Sequence, residues 1–534
     1  MNYVLRLCLL FFLVTTGPIA VAGVLPGTLQ SIPTTDGYTL EAYVAVPSGP
    51  GSGPFPLVVM PSSWGISFVE YVGQANALAN QGYIVVSYSS RGFSTGCALR
   101  PTCGLIDVAG PLTVGDVSTV IDWALAHTQA DPQAIGVSGI SYGAGTSLLA
   151  AASDPRIKAV ASLSTWANLE ASLDANQTPS AQGIALLSYA SYLGKPGPLM
   201  QQINQDVVFG NYAGAVGLLL PVVAVRDPAT QIAQLNANGP AVLLANAFED
   251  SLFVPSQLID FYDQLQVPKR LMLAHGDHAT NELLGAQGLP NEVYDTVTQW
   301  FDRYLKGVAN GVDSQPPVQL KSQMGDWSTY PDWAAVQQGA TTYALTDPSV
   351  SLFNPTGTGR LTPAAGGSWK TTIMGGIPTV ANSGVVMING VLTGLSLPLP
   401  TSLPLIARTN ATVWTGPVLT TTRHLAGMPA LHVTVTSDQS ALSLFAYLYS
   451  VDPLFGTAQL ITHKPYTFLQ VTPGVPQTLD LRLEATDWQV NAGQQLALVI
   501  GTVDGRYAGV TPLFSRVTLS SPTSSPSTLT VTWH

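Results

Sequence analysis

From about residue 38 to residue 306, short apolar runs alternate with stretches of helical periodicity. The runs Leu40–Val46, Pro56–Met60, Tyr83–Tyr88, Ala134–Val137, Ile157–Leu163, Ala241–Ala245 and Arg270–Ala274 are bounded by Gly, Pro or Asn. Being apolar on both faces, they read as buried strands of a parallel sheet. Between them Phe68–Asn80, Val114–Ala126, Ser141–Ala152, Ser256–Leu265 and Asn291–Lys306 read as helices. Repeated strand–helix units predict an α/β class domain, a doubly wound sheet with helices on both faces.

Two departures from that rhythm divide the chain. Between Thr165 and Asn238 strand signal is sparse while Ile184–Leu193 and Ala213–Val225 are helix-like, so residues 165–238 are expected to form a helical cap inserted between two strands. After Gly307 the composition turns to Thr, Ser, Pro and Gly. Alternating runs such as Leu431–Thr436, Ser443–Tyr449, Gln477–Leu483 and Leu496–Gly501 then predict an antiparallel β-sandwich or jelly roll. The expected division is a leader at residues 1–22, the α/β domain at 23–310 and the β-sandwich at 311–534.

Composition narrows the partners. The 534 residues exceed what one core accommodates, and 46% apolar with 10% charged residues describes a well-packed chain. A net charge of −11 without a Lys/Arg cluster argues against a nucleic-acid partner. Arg6, the apolar run Leu7–Thr15 and the small-x-small pattern Ala20-Val21-Ala22 have the layout of a secretory signal, and the run is too short to span a bilayer. An exported chain without a membrane anchor after cleavage is expected. Cys8 leaves with the signal, and Cys97 with Cys103 is expected to form a disulfide.

The candidate chemistry begins with two Gly-x-Ser-x-Gly pentapeptides, Gly92–Gly96 around Ser94 and Gly139–Gly143 around Ser141. A nucleophilic serine needs a sharp strand-to-helix turn with small neighbours. Ala134–Val137 leads into Ser141, and Ala144, Gly145, Ala150, Ala151 and Ala152 line the helix after it. Ser94 instead precedes Cys97, Pro101, Cys103 and Gly104, a constrained loop. The serine also needs a base, oriented by an acid, in the chain order Ser, Asp or Glu, His. Of His275, His278 and His432, the loop residue His278 is favoured, His275 abutting its strand and His432 lying in the β-rich half. Glu249 and Asp250 both follow the strand Ala241–Ala245, and Asp277 beside His278 reads as a solvated loop charge.

These motifs resemble the X-Pro dipeptidyl-peptidase and cocaine-esterase-like acyl esterases. The resemblance is carried by Arg91–Gly96, Asp122-Trp123, Gly139–Gly143, Phe248-Glu249-Asp250, Trp300–Gly307 and the Leu425-Ala426-Gly427 region. It implies an α/β-hydrolase domain, a helical cap and a C-terminal jelly roll. It further implies Ser141 as nucleophile, Asp250 as acid and His278 as base, with the Tyr142 backbone N–H in the oxyanion hole. Trp64 stands where the family carries a Tyr whose hydroxyl completes that hole, with Ser62 and Ser63 as substitutes and packing of the site wall as its other role. No metal and no organic cofactor are expected. The implied substrate is a small-molecule ester or amide, or a short peptide. An acyl esterase or amidase is preferred over an X-Pro dipeptidyl-peptidase, which would need a carboxylate for the substrate ammonium; Glu170 and Asp174 near the cap are the candidates. A non-catalytic binding protein on a hydrolase fold is the remaining alternative.

Overall fold

The computed structural model of the protein describes residues 27–48, 53–323, 325–364 and 366–534. The signal-like leader lies outside the described residues. The apolar runs assemble into one ten-stranded sheet of β1 (Thr28–Pro33), β2 (Thr39–Ala45), β3 (Phe55–Pro61), β4 (Ile84–Tyr88), β5 (Ala130–Ile140), β6 (Ile157–Leu163), β7 (Ala241–Ala247), β8 (Lys269–Ala274), β9 (Val318–Lys321) and β10 (Trp327–Tyr330), in the spatial order β1-β2-β4-β3-β5-β6-β7-β8-β9-β10.

Alternation within each strand explains why the runs are apolar on both faces. Leu57 and Val59 of β3, Val242 and Leu244 of β7, and Leu271 and Leu273 of β8 join one core with Val117, Val120 and Ile121 of helix Pro111–His127 and Leu258 and Ile259 of helix Pro255–Gln264. Val58 and Met60, Leu243, and Met272 point the other way, into a core with Ala75 and Leu78 of helix Val72–Asn80 and Val297, Trp300 and Phe301 of helix Glu292–Lys306. Each fully buried large aliphatic or aromatic side chain contributes roughly 1.5–3 kcal/mol. Asn291 caps the last of these helices by accepting the Tyr294 N–H, and Gly307 ends it with φ +71°.

Two strand expectations change. The Leu40–Val46 run is antiparallel to its neighbour β4, pairing Ala42 with Tyr88, and so is not part of a parallel sheet. The connection from Ala45 to Phe55 is too short for the dozen or more residues a parallel crossover takes. Beyond Gly307, β9 and β10 still extend the first sheet, with β9 parallel to β8. The later strands form a twelve-stranded ladder and a two-stranded one, a β-sandwich whose inner side chains include Val433, Val435, Leu444, Leu498 and Ile500.

The segment between β6 and β7 is helical as expected, with Leu169–Leu173, Ala181–Ser191, Pro198–Val208, Tyr212–Leu219 and Ile232–Asn238. Tyr212–Asn238 matches a membrane span in length and composition. In this fold it is broken by 3-10 turns at Leu220–Val225 and Pro228–Gln231, each opening near a proline, and its first helix faces a cleft. Polar contacts tie the sandwich to both the cap and the first sheet's helices: Thr178 to Thr467 at 2.7 Å, Asn176 to the Pro465 carbonyl at 2.9 Å, and Ser256 Oγ to Glu484 at 2.5 Å. Cys97 and Cys103 form a disulfide, as the sequence suggests.

Candidate active site

β5 ends at Ile140, and helix Tyr142–Ser153 begins two residues later. Ser141 alone makes the turn, with φ 55° and ψ −118°, a conformation L residues rarely adopt. The turn is possible because its surroundings carry no side chains: a Cβ on Gly139 would strike the Gly143 backbone, and one on Gly143 would strike the Pro61 carbonyl. Tyr71 Oη accepts the Ile140 N–H at 2.8 Å, which holds the strand end. As the first helical residue, Tyr142 has an N–H without an intrahelical acceptor.

His278 Nε2 lies 2.7 Å from Ser141 Oγ, and its Nδ1 lies 2.9 Å from Asp250 Oδ2. The other Asp250 oxygen accepts the N–H groups of Leu252 and Phe253 at 2.9 and 2.7 Å, so the carboxylate is held from both sides. Ser141, Asp250 and His278 are all buried. Burial disfavours the His278 imidazolium, but the neighbouring Asp250, with Asp277 and Glu282 behind it, outweighs that cost and raises the pKa above its ordinary value. The structure thus brings together Ser141, Asp250 and His278, the set that the family resemblance implies.

The competing candidates are placed elsewhere. Glu249 accepts from His275 Nδ1 at 2.6 Å, and His275 Nε2 donates to the Asp487 carbonyl at 2.7 Å. Ser94 sits in a buried loop that leads into the 3-10 turn Cys97–Leu99 of the disulfide. His432 lies between Asp480 (2.6 Å) and Ser525 (2.7 Å) on the sandwich, a second Ser–His–Asp chain. Neither backbone position beside that serine offers an oxyanion donor, since the Ser525 N–H is taken by the Pro522 carbonyl and the next residue is Pro526, and Asp480 is exposed.

Trp64 does not serve as the expected second oxyanion donor. Its indole N–H is committed to the Leu187 carbonyl of the cap at 3.0 Å. Its ring instead packs edge-on against Phe93 and Tyr142, forming the site wall. Ser62 Oγ donates to the Ile66 carbonyl, and Ser63 Oγ lies 2.6 Å from Glu70 and 2.9 Å from the Ile140 carbonyl, so both substitutes are also occupied.

Three buried carboxylates around the site were not legible in sequence. Asp277 is not a solvated loop charge; it is 1% exposed and accepts the N–H groups of Ser251 and His278, each at 2.8 Å. Burial and the neighbouring Asp250 push its pKa up to about 6. Glu70 accepts the Ser63 N–H at 2.7 Å, and Glu282 faces Ser164 Oγ at 3.2 Å; burial pushes both to about 7. None of the three sits in a motif, and only chain crossings far apart in sequence collect them.

A cleft opens beside Ser141. Its walls are apolar, formed by Trp64, Trp166, Leu187, Ile203, Leu219 and Phe253 among others, and among the described residues no Asp, Glu, Lys or Arg lines it. Glu170 is exposed and Asp174 only half-buried, and neither lines the cleft. The nearby Asp227 is buried but turns to the Leu169 N–H at 2.9 Å.

The family model described as X-Pro dipeptidyl-peptidase (S15 family) matches residues 36–280, and that of the X-Pro dipeptidyl-peptidase C-terminal non-catalytic domain matches residues 310–531. A protein of Bacillus anthracis named "Putative Xaa-Pro dipeptidyl-peptidase" is 22% identical over 282 residues, which cover 50% of this chain and 42% of that protein. The chain thus spans less than half the length of this curated relative. Two solved structures share the fold over nearly the full length. A CocE/NonD family hydrolase from Staphylococcus aureus has a TM-score of 0.70 at 14% identity, covering 95% of this chain and 93% of its own. An aminopeptidase from the marine sediment archaeon Thaumarchaeota archaeon has a TM-score of 0.73 at 13% identity, covering 97% and 98%.

Proposed function

Because the chain belongs to the X-Pro dipeptidyl-peptidase family of serine hydrolases, we propose that it hydrolyses esters or simple amides of an uncharged, apolar acyl group through Ser141, His278 and Asp250. His278 Nε2 takes the Ser141 proton as the Oγ attacks the acyl carbonyl. The imidazolium so formed is held by Asp250 and then protonates the departing alcohol or amine. The Tyr142 N–H receives the developing oxyanion at the helix start. Water, deprotonated by the same histidine, releases the acid from the acyl-enzyme.

The observation that carries the substrate reading is the wall of the cleft beside Ser141. An enzyme that releases N-terminal dipeptides must hold a free ammonium, and a buried ammonium without a carboxylate partner is strongly disfavoured. The cleft supplies no such partner. An apolar acyl group gains from burial there instead. The second reading, an X-Pro dipeptidyl-peptidase, is favoured by the two matching family models. Export is part of the proposal, supported by the leader pattern and by the Cys97–Cys103 disulfide, a bond of oxidising compartments.

The test is labelling by a fluorophosphonate probe in the wild type and Ser141→Ala, followed by turnover of short-chain aryl esters and of an X-Pro-anilide. Labelling lost in the variant, with ester turnover exceeding anilide turnover, is expected. A wild type that does not label ends the serine-hydrolase mechanism, and rapid anilide cleavage with slow ester cleavage transfers the substrate assignment to the peptidase.

A further inference from the structure

The loop that carries Asp250 borders a small pocket between the hydrolase domain and the β-sandwich, lined by Asp250, Ser251 and Asp277 on one side and by Ser383, His463 and Arg506 on the other. Close packing fixes most buried loops in position. Beside a pocket, that packing is incomplete, and hydrogen bonds take on more of the constraint.

Ser251 collects them. Its N–H donates to Asp277 at 2.8 Å, which links the acid loop to the loop of His278. Its carbonyl accepts from Arg506 Nη2 at 2.8 Å, and its Oγ accepts the Met387 N–H at 3.0 Å. Arg506 and Met387 both belong to the C-terminal half. Arg506 is itself anchored to the sandwich: its N–H donates to Asp504 at 2.8 Å, and Asp504 accepts from Tyr447 Oη at 2.8 Å and the Ser383 N–H at 2.6 Å. The Arg506 carbonyl also takes the Gln182 N–H of the cap at 3.1 Å.

Arg506 is 5% exposed, and its Nε has no partner among the described residues. Burying a guanidinium is costly, and its side chain donates to the Ser251 carbonyl and lies over the Tyr507 ring, 5.4 Å from the ring centroid. A charged donor makes the stronger kind of hydrogen bond to a carbonyl.

We propose that Arg506 is a positioning residue for catalysis, a strut by which the β-sandwich holds Ser251, and through it Asp250, in register with His278. The sandwich then acts on the hydrolytic step without touching substrate. This inference rests on the assignment of Asp250 and His278 above.

The test uses the full chain and compares Arg506→Met, Arg506→Lys, Arg506→Gln and Arg482→Met. Arg482→Met removes an exposed contact to Asp260 that also joins the two halves, but away from the acid loop. For aryl-ester hydrolysis, Arg506→Met is expected to lower kcat about tenfold, because small misplacements of catalytic groups cost rate. KM and far-ultraviolet circular dichroism should stay near wild type. Arg506→Lys, which can still donate to the Ser251 carbonyl, should recover most of the loss, and Arg482→Met should keep the wild-type kcat. An unchanged kcat in folded Arg506→Met, a loss confined to KM, no recovery by Lys, or an equal loss in Arg482→Met overturns the proposal. If Arg506→Met does not fold, Arg506→Gln decides, because its shorter side chain stays polar but falls short of the Ser251 carbonyl: a lower kcat supports the strut and an unchanged one overturns it. The fluorophosphonate labelling rate separates the two levels. A wild type that labels while Arg506→Met labels equally fast sinks only the strut, whereas an unlabelled wild type sinks the triad and the strut with it.

Discussion

Glu249 and Asp250, neighbours in the chain, hold different histidines: Glu249 lies 2.6 Å from His275 Nδ1 and Asp250 lies 2.9 Å from His278 Nδ1. Only the second pair continues to a serine, with His278 Nε2 2.7 Å from Ser141 Oγ, while His275 ends on the Asp487 carbonyl. One pair reaches the serine of the strand-to-helix turn, and the other ties the strand end of β8 to the sandwich.

The two acids should therefore separate by mutation. Asp250→Asn is expected to lower kcat by about 10⁴-fold, because the amide favours the wrong histidine tautomer. Glu249→Gln should leave kcat near the wild-type value and lower the melting temperature. Steady-state kinetics on an aryl ester, with calorimetry of both variants, reads the difference.

The pH profile should carry the mark of His278. Its pKa is raised above 6.5, with burial opposing and Asp250 outweighing it. A protonated imidazole cannot accept the Ser141 proton, so kcat/KM falls as pH drops through the raised value, and the acid limb should have its midpoint above 6.5. Removing the carboxylate charge in Asp250→Asn should move that midpoint down. A midpoint below 6.5 in the wild type would contradict the assignment.

Chain-length dependence tests the apolar cleft. Each buried methylene is worth about 0.8 kcal/mol, so kcat/KM should rise roughly fourfold per methylene from acetyl towards hexanoyl esters. Val216 lines the cleft. Val216→Asp should flatten or invert that rise while sparing the acetyl ester, measured across a series of aryl esters.

Stability should respond to Glu282. Burial raises its pKa from 4.5 to about 7 in the folded chain. A carboxyl with a raised folded-state pKa contributes stability that is fully present below its unfolded value and is lost as pH rises through about 7. Glu282→Gln stays neutral throughout, so its melting temperature relative to wild type should be higher at pH 8 than at pH 5. Scanning calorimetry at the two pH values checks the sign.

Much of the fold was legible because local physics writes it into the pattern. Runs apolar on both faces, such as Val242–Leu244 of β7, have no stable place except inside a sheet covered on both sides. Ser141 was legible for a similar reason in part: Gly139 is demanded by the Gly143 backbone within the turn itself, whereas Gly143 is demanded by the Pro61 carbonyl at the end of β3. The strand direction of β2 was not, because periodicity records burial and carries no sign of direction.

The amino-acid sequence by itself determined the elements, the elbow at Ser141, the small set of acids and histidines that lie past strand ends, and the cysteine pair. Tertiary structure alone decided what each polar group faces. It turned the Trp64 indole onto Leu187, buried Asp277 against Ser251, gave Glu249 to His275, and brought Arg506 to the Ser251 carbonyl across 255 residues of chain. The reason is range: a turn or an apolar stripe is settled by neighbours a few residues away, whereas a hydrogen bond between distant segments exists only once the whole chain has packed.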